Sequence, residues 1–491
     1  MRIRRCLVCI GALAFALSAA PASAAAFSPY AVPPTTPAPQ TALAQTLLAG
    51  SSVTAQDGWI VAHLHGTPYQ IGFQNGYLTA QSAHYCLLVD LGAPGSAMRR
   101  AGEAMAKGAV WKKVPQRYRL ELKGIAAGMR AAGYKRDTLW DVVAANAWAD
   151  RACYAALVHG TAAVAAAQAQ LARRVRKGGC SAFIATGTAT SDGRPVMGHN
   201  TWAAYDEDFM WNVMFYVHPT DGYDFTYQSA GGQIWSGQDW YENSAGLMLS
   251  ETSLADTRYR PSGIPVFIRA RRAAQFAGTV GEAVRTLLTG TNGAYCSEWL
   301  IGDRRGTIAS LQTGVQTHHL SVTRNGFFGS SNYAWGAMTR VEGGPTVDPP
   351  NPANSDYARF QRWKQLAAKY AGHIDAAVGQ AMEADTYDVY LHRNGPDQRT
   401  ICGEWEHGPS GAPYSGSSDY GANDAKVCTE SMVLDGMQMW ARWGHPNGDD
   451  FSAAKFLRHN PTWAARNGSL ALFGLRTFSA QTPNPWVLLR R

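Results

Sequence analysis

Two apolar runs joined by Ser191-Asp192-Gly193 constrain this chain more than any other feature. Residues 182–190 and 195–198 read as strands, and Asp-Gly between two such runs signals a hairpin turn. The first run opens on Gly178-Gly179-Cys180-Ser181-Ala182-Phe183, and the second leads into Gly198-His199-Asn200-Thr201-Trp202. Closing the hairpin sets Cys180, at the head of one strand, across from the polar cluster that ends the other. A nucleophile meets its helpers in this way, so chemistry is predicted at Cys180. The bland reading of a lone cysteine is a small buried hydrophobe or half of a disulfide.

Other segments extend the pattern: His65-Gly66-Thr67-Pro68-Tyr69-Gln70-Ile71-Gly72-Phe73-Gln74-Asn75-Gly76, Ser229-Ala230-Gly231-Gly232-Gln233-Ile234-Trp235-Ser236, Ser250-Glu251-Thr252, Asp356-Tyr357-Ala358-Arg359-Phe360 and Arg399-Thr400-Ile401-Cys402. Over roughly residues 55–460 the chain resembles the N-terminal-nucleophile cysteine hydrolases, specifically the phospholipase B-like proteins and the acyl-coenzyme A:6-aminopenicillanic acid acyltransferase-like peptidases. The resemblance implies a four-layer αββα sandwich, where the residues alone give α+β. It also implies a precursor cut between Gly179 and Cys180, with the freed Cys180 as nucleophile and its own α-amine as base. A thiol of pKa ~8.5 beside an α-amine of pKa ~7.7–8.0 can pass its proton across one residue.

The same resemblance places His199 and Asn200 in the catalytic site and makes Asn332, in Gly329-Ser330-Ser331-Asn332-Tyr333, a side-chain donor to the oxyanion. A backbone N–H of the His199-Asn200 segment is the natural second donor. Trp202 is expected to wall the substrate pocket, and Arg359 to polarise the site or bind an acidic headgroup. Asp239 and Thr252 are further substrate-binding candidates. The ordinary alternatives are a structural histidine, a turn asparagine, a core tryptophan and a helix-surface arginine. Related bile-salt and penicillin V hydrolases carry Arg-Asn and, two residues on, Asp. This chain has His199-Asn200 and then Trp202, so the carboxylate that would orient the free amine is missing.

Residues 1–24 read as a secretory signal peptide: Arg2, Arg4 and Arg5 precede an apolar run, and Ala22-Ser23-Ala24 offers a small-residue cleavage site. A secreted or periplasmic protein is expected, without a stable membrane anchor. Residues 25–179 form a mostly helical N-terminal part, and 180–491 a catalytic chain that begins at the nucleophile. The formal net charge of +8 includes the three arginines of the signal. Such a balance speaks for solubility and not for nucleic acid. Residues 157–179 end in Arg173-Arg174-Val175-Arg176-Lys177-Gly178-Gly179. They suit a cleavable linker whose glycines ease an N-to-S acyl shift, and the arginines leave cleavage by another protease open. Two chains from one precursor are the expected outcome.

Helices are predicted over 42–49, 69–87, 98–130, 139–156, 266–288, 357–370 and 374–385. Strands are predicted over 59–65, 209–217, 224–228, 232–236, 246–251, 297–301, 307–312 and 318–322. Cys402 and Cys428 flank a Gly/Ser/Asp-rich loop and are expected to form a disulfide. His63-Leu64-His65 has a metal-like spacing, yet no matching ligand set follows it, so neither a metal nor a cofactor is expected. The serine elbow, the zincin helix motif and the phosphate-binding loop are all absent. The expected activity is hydrolysis of an acyl amide, non-peptide or small peptide, through a thioester, the partner being a small-molecule acyl compound. Deacylation of phospholipids and acyl transfer to an amine use the same chemistry. A non-enzymatic glycan or cell-wall binding protein, built on some of the 16 tryptophans, is the alternative from another class.

Overall fold

The computed structural model describes residues 27–151, 154, 179–254, 259–337, 342, 350–404, 406 and 419–491. The signal-like segment, Cys153 and the expected linker up to Gly178 lie outside these residues.

Local chemistry divides the N-terminal helices more finely than apolar spacing does. Thr67 opens the helix Pro68–Leu78 with a reciprocal capping box to Gln70. The single helix expected over 69–87 is two, Pro68–Leu78 and Ala80–Leu91. At Thr79 ψ moves to 25°, and its hydroxyl turns back onto the Asn75 carbonyl at 2.7 Å. The stretch over 98–130 likewise splits into Ala97–Met105 and Gln116–Ala131 around Pro115, whose ring cannot continue a helix. Thr279 caps a new helix, Val280–Leu288, after Val266–Phe276, dividing the stretch expected as one.

Helices Pro68–Leu78 and Gln116–Ala131 cross with their backbones in contact, which four glycines permit. A Cβ on Gly72 would lie 1.9 Å from the Glu121 carbonyl oxygen and one on Gly76 2.1 Å from that of Ile125. On the facing helix, Gly124 and Gly128 would meet the Tyr69 and Phe73 carbonyl oxygens at 2.3 and 2.2 Å. The Gly-x-x-x-Gly spacing on both helices is a signal that the apolar periodicity hides.

Two sheets carry the rest. The larger runs β1 (Ser52–Gln56), β2 (Trp59–Gly66), β5 (Val213–Pro219), β6 (Phe225–Ser229), β7 (Trp240–Asn243), β8 (Met248–Leu254), β9 (Cys296–Gly302), β10 (Ile308–Thr313) and β11 (His318–Thr323). Within it, β2 and β5 pair in parallel. The smaller sheet runs β12 (Gly326–Ser330), β3 (Ser181–Gly187), β4 (Gly193–Ala204), β15 (Tyr420–Thr429), β16 (Met439–Trp443) and β17 (Val487–Leu489), numbered with a short pair, β13 (Tyr387–Asp388) and β14 (Arg393–Asn394), set apart. The predicted hairpin is β3–β4, with Ser181 opposite Asn200 and Ala182 opposite His199.

Alternation along the strands decides what each face covers. Ile60, Ala62 and Leu64 of β2 join Phe215 and Val217 of β5 against the helices Pro68–Leu78, Gln116–Ala131 and Val266–Phe276. Trp59 and Val61 turn the other way, toward Ile184, Met197, Met439 and Trp443 of the smaller sheet. On that sheet's far side, Phe183, Ala185 and Val427 pack on Trp363, Leu366 and Met382 from the helices Ser355–Lys369 and Ala376–Glu383.

Two expectations fail. No strand forms over 232–236, because two asparagines take its backbone groups. Asn75 accepts from Gly232 N at 2.8 Å and donates to the Gln233 carbonyl at 2.9 Å. Asn146 donates to the Gly232 carbonyl at 2.9 Å and accepts from Ile234 N at 2.8 Å. With those groups satisfied by side chains, no ladder is needed, and β7 forms instead from Trp240 on. The Cys402–Cys428 disulfide is also absent: both thiols are free and buried. Cys428 faces the core between the sheets, whereas Cys402 sits with Trp202 and Ala422 in a separate cluster.

The helix crossing yields a test. Gly124→Ala should destabilise the fold by about 1–3 kcal/mol, the usual cost of overpacking, because the opposing atoms are backbone. Gly281→Ala, where the nearest atom would be a flexible Arg285 nitrogen at 3.6 Å, should be neutral or mildly stabilising. Urea midpoints of the two variants beside the wild type would check this.

Candidate active site

Cys180 stands just before β3, almost fully buried at 8% exposure. Its thiol donates to Asp239 Oδ2 at 3.5 Å. Asp239 precedes β7 with a positive φ of 63°, a backbone bend that turns its carboxylate in toward β3. Burial raises the thiol pKa well above its ordinary value, and the Asp239 charge raises it further. Asp239 is itself pushed up to about 6 by burial, a rise that the neighbouring Glu251 and the nearby Lys426 charge limit. Glu251 is raised well above the carboxylate range by burial and by Asp239. Of these two neighbouring acids, Glu251 is pushed further toward its protonated form than Asp239.

Arg359, predicted as a helix-surface or headgroup residue, is completely buried. Its Nη1 donates to the Gly179 carbonyl at 2.9 Å, the Cys180 carbonyl at 3.1 Å and Ser181 Oγ at 3.0 Å. Nη2 donates to Asn332 Oδ1 at 3.0 Å and Asp356 Oδ1 at 2.9 Å. Nε reaches Ser355 Oγ at 3.1 Å. The guanidinium lies over the Trp202 ring, 4.7 Å from its centroid. Asn332 has a left-handed φ of 67° and donates from Nδ2 to the Ser253 carbonyl at 2.9 Å. A Cβ at residue 179 would fall 2.6 Å from that Nδ2. Gly179 is thus required by space and not by conformational freedom.

His199 comes within 4.0 Å of Asp239 through Nε2, but that nitrogen bonds the Glu251 carbonyl at 3.1 Å. Burial and the Lys426 charge hold the ring pKa well below its usual value. The neutral ring must therefore carry its proton on Nε2 to donate to a carbonyl, which ties β4 to β8 across the gap between sheets. Asn200 is consumed by the protein. Its Oδ1 accepts from Ser181 N at 3.2 Å and Trp202 Nε1 at 3.1 Å, and Nδ2 donates to the Ile401 carbonyl at 3.1 Å. Both residues lie mid-sheet, paired with β3 and with β15, so their backbone N–H groups face ladder partners. Thr252 accepts from Asn332 N at 3.3 Å and meets Ser330 Oγ at 2.5 Å, which makes it a support for Asn332.

Four residues complete the surroundings: Glu251, which the sequence reading quoted only within the Ser250-Glu251-Thr252 segment, and Tyr295, Asp208 and Lys426, which it passed over. The buried Lys426 ammonium bonds Thr201 Oγ1 at 2.9 Å and pairs with Asp424. Two charged residues two apart in an apolar β-strand, Asp424 and Lys426, were a legible sign of a polar face turned inward. Cys180, Asp239, Gly179 and Trp202 line a cavity of about 160 Å³. Cys180, His199 and Asp239 also offer ligand-type atoms within 4.8 Å of one another. For His199 Nε2 to bind a metal there, it would have to give up its bond to the Glu251 carbonyl.

No family model matches the chain. An uncharacterized protein of Archaeoglobus fulgidus is 30% identical over 274 residues, 51% of this chain and 42% of the relative. The chain therefore spans under half the length of that relative. Among solved structures it is similar to penicillin V acylase from Agrobacterium tumefaciens (15% identity, 54% of this chain, 83% of that one, TM-score 0.33). It is also similar to a mutant conjugated bile acid hydrolase from Clostridium perfringens (12% identity, 54% and 89%, TM-score 0.30).

The electrostatics carry a sign that can be measured. An anion beside a thiol disfavours the thiolate, so Asp239→Asn should move the pH midpoint of Cys180 alkylation by iodoacetamide downward. An unchanged or higher midpoint would show that Asp239 does not act on the thiol.

Proposed function

We propose that the chain is a self-processing N-terminal-nucleophile cysteine hydrolase, cut between Gly179 and Cys180, that cleaves an acyl amide through a thioester. The observation that carries the reading is the grip of one buried guanidinium on the carbonyls of both residues flanking the bond to be cut. The placement of the two sheets between helices is compatible with the four-layer αββα sandwich of such enzymes. The N-terminal part and the catalytic chain are read as one unit, and the segment 1–24 as a signal for secretion or the periplasm.

Before cleavage the Cys180 nitrogen is an amide and cannot serve as a base, so another group must take the thiol proton. We assign this role to Asp239, whose Oδ2 accepts from the thiol at 3.5 Å. The thiol proton passes to the Asp239 carboxylate, and sulfur attacks the Gly179 carbonyl carbon. Arg359 Nη1 donates to the oxygen as negative charge develops there. The carbon–nitrogen bond breaks, the nitrogen takes the proton that Asp239 received, and the Gly179 acyl group rests on sulfur as a thioester. Water releases it as a carboxylic acid and leaves Cys180 with a free α-amine. In the mature protein that amine is the base. The thiol adds to the substrate carbonyl, the amine half departs protonated, and water frees the acyl group. His199 holds β4 to β8 beside the reacting groups, and Asn332 and Arg359 shape the oxyanion side.

Cys180→Ala should remain a single chain and be inactive. Arg359→Met should slow cleavage by about 10²–10³-fold, the scale of losing one oxyanion donor. Because Asp239 acts as its anion, wild-type cleavage should accelerate as pH rises through about 6, and Asp239→Asn should abolish that rise. Intact mass over time, at several pH values and with or without a chelator, reads all three. A Cys180→Ala protein that matures normally, or loss of activity to the chelator but not to a thiol reagent, would sink the reading. Matched amides and esters of one acyl chain then separate amidase from lipase action.

A further inference from the structure

The pair His63 and His65 lacks a third ligand nearby in sequence, but the parallel register of β2 with β5 supplies one. His65 stands directly opposite His218, and His63 opposite Tyr216. Leu64 packs toward the helices, so alternation puts His63 and His65 on the other face of the sheet, where their rings meet those of β5. The His65 and His218 rings stack with centroids 4.3 Å apart, and the His63 and His218 rings lie parallel at 6.4 Å. His63 also stacks on Tyr216 at 5.1 Å.

Hydrogen bonding separates the three rings. His218 Nδ1 lies 3.0 Å from Asp224 Oδ2, which also accepts from Arg491 Nη1 at 3.1 Å. Bonded to a carboxylate, Nδ1 is the donor, so the neutral ring keeps its lone pair on Nε2. A carboxylate on one nitrogen is the usual outer support of a histidine that binds metal through the other. The rings of His63 and His65 make no hydrogen bond among the described residues, and both are half-buried. Two imidazoles on one tetrahedral ion, each nitrogen about 2.0–2.1 Å from it, have ring centres about 5 Å apart. The observed 4.3 and 6.4 Å bracket that spacing. Because the rings stack face to face, their nitrogens converge by rotation about the side-chain bonds, which no hydrogen bond opposes at His63 and His65.

We propose that His63, His65 and His218 bind one divalent transition ion of the zinc, nickel or copper type across the β2–β5 pair. Imidazole suits these ions, whereas calcium and magnesium take oxygen ligands. Three protein ligands leave one tetrahedral position to water. Asp224 is a positioning residue that holds the His218 tautomer. β2 lies before Cys180 and β5 after it, so the ion ties together the two parts of the chain where their strands pair. None of the three histidines lines the Cys180 cavity, and the proposal is independent of the hydrolase reading.

The test is zinc titration of the purified, untagged full chain by calorimetry with magnesium in excess, wild type beside Cys180→Ala. Both should take up zinc at a saturable site. His63→Gln, His65→Gln and His218→Gln should each lose one equivalent or weaken it by more than about tenfold. Zinc should raise the wild-type Tm and leave the Tm of these three variants unmoved, a measurement that also reports whether they fold. Copper(II) in place of zinc should show nitrogen ligands by electron paramagnetic resonance, and Asp224→Asn should keep that pattern at an affinity about 10–100-fold lower. No saturable zinc uptake, or full uptake by any one of the three glutamine variants, overturns the proposal. A site lost in Cys180→Ala, or lost in His445→Gln and so shared with Glu404 and Glu406, overturns it as well.

Discussion

Arg359 is the interaction on which the site depends. A fully buried guanidinium is tolerable only if its donors are matched and its charge is answered. Here the acceptors come from three parts of the chain: the Gly179-Cys180-Ser181 backbone and side chain, Asn332 after β12, and Ser355 and Asp356 at the start of its own helix. Trp202 on β4 supplies the ring beneath it. Lysine could not replace it, because a point charge with three donors lacks the planar fork that reaches all these acceptors. The position of Cys180 relative to Asp239 follows from this anchoring at its carbonyl.

The space between the sheets changes character along its length. Near Trp59, Trp443 and Met439 it is an ordinary apolar core. Toward Cys180 it holds Lys426, Asp424, Gln228, His199 and Glu251, all buried. Gln228 reaches across to Asp424 at 2.7 Å, as His199 does to the Glu251 carbonyl. Burial takes this seam out of water and weakens the screening between its charges, which is why Asp239, Glu251 and His199 depart from their ordinary protonation together.

Local chemistry made much of this fold legible. The β3–β4 hairpin follows from Asp192-Gly193, and β9, β10 and β11 follow from alternation bounded by turns. Helix breaks were less visible, because Thr79 and Thr279 act through side-chain bonds that apolar spacing does not register. The 232–236 segment misled for a tertiary reason: Asn75 and Asn146, far away in sequence, hold it as a loop. At the site, the hairpin set Cys180 opposite the segment that carries Trp202, whereas the expectation that Trp202 walls the pocket came with the resemblance. Asp239 was named but not as the thiol's partner, since a residue 59 positions on shows nothing of a 3.5 Å contact. Arg359 was legible as a motif residue and not as a buried one.

The parallel pairing of β2 with β5 has a consequence for the life history of the protein. β1 and β2 belong to the segment before Cys180, yet they complete the same sheet as β5 to β11 and share one core with it. While the chain is continuous, these parts find each other as one molecule. After a cut at residue 179 the same assembly would require two separate molecules to meet, and its recovery from unfolding would depend on concentration. Cleavage would convert a reversible folding equilibrium into a one-time event, and the mature protein would persist by the slowness of its unfolding.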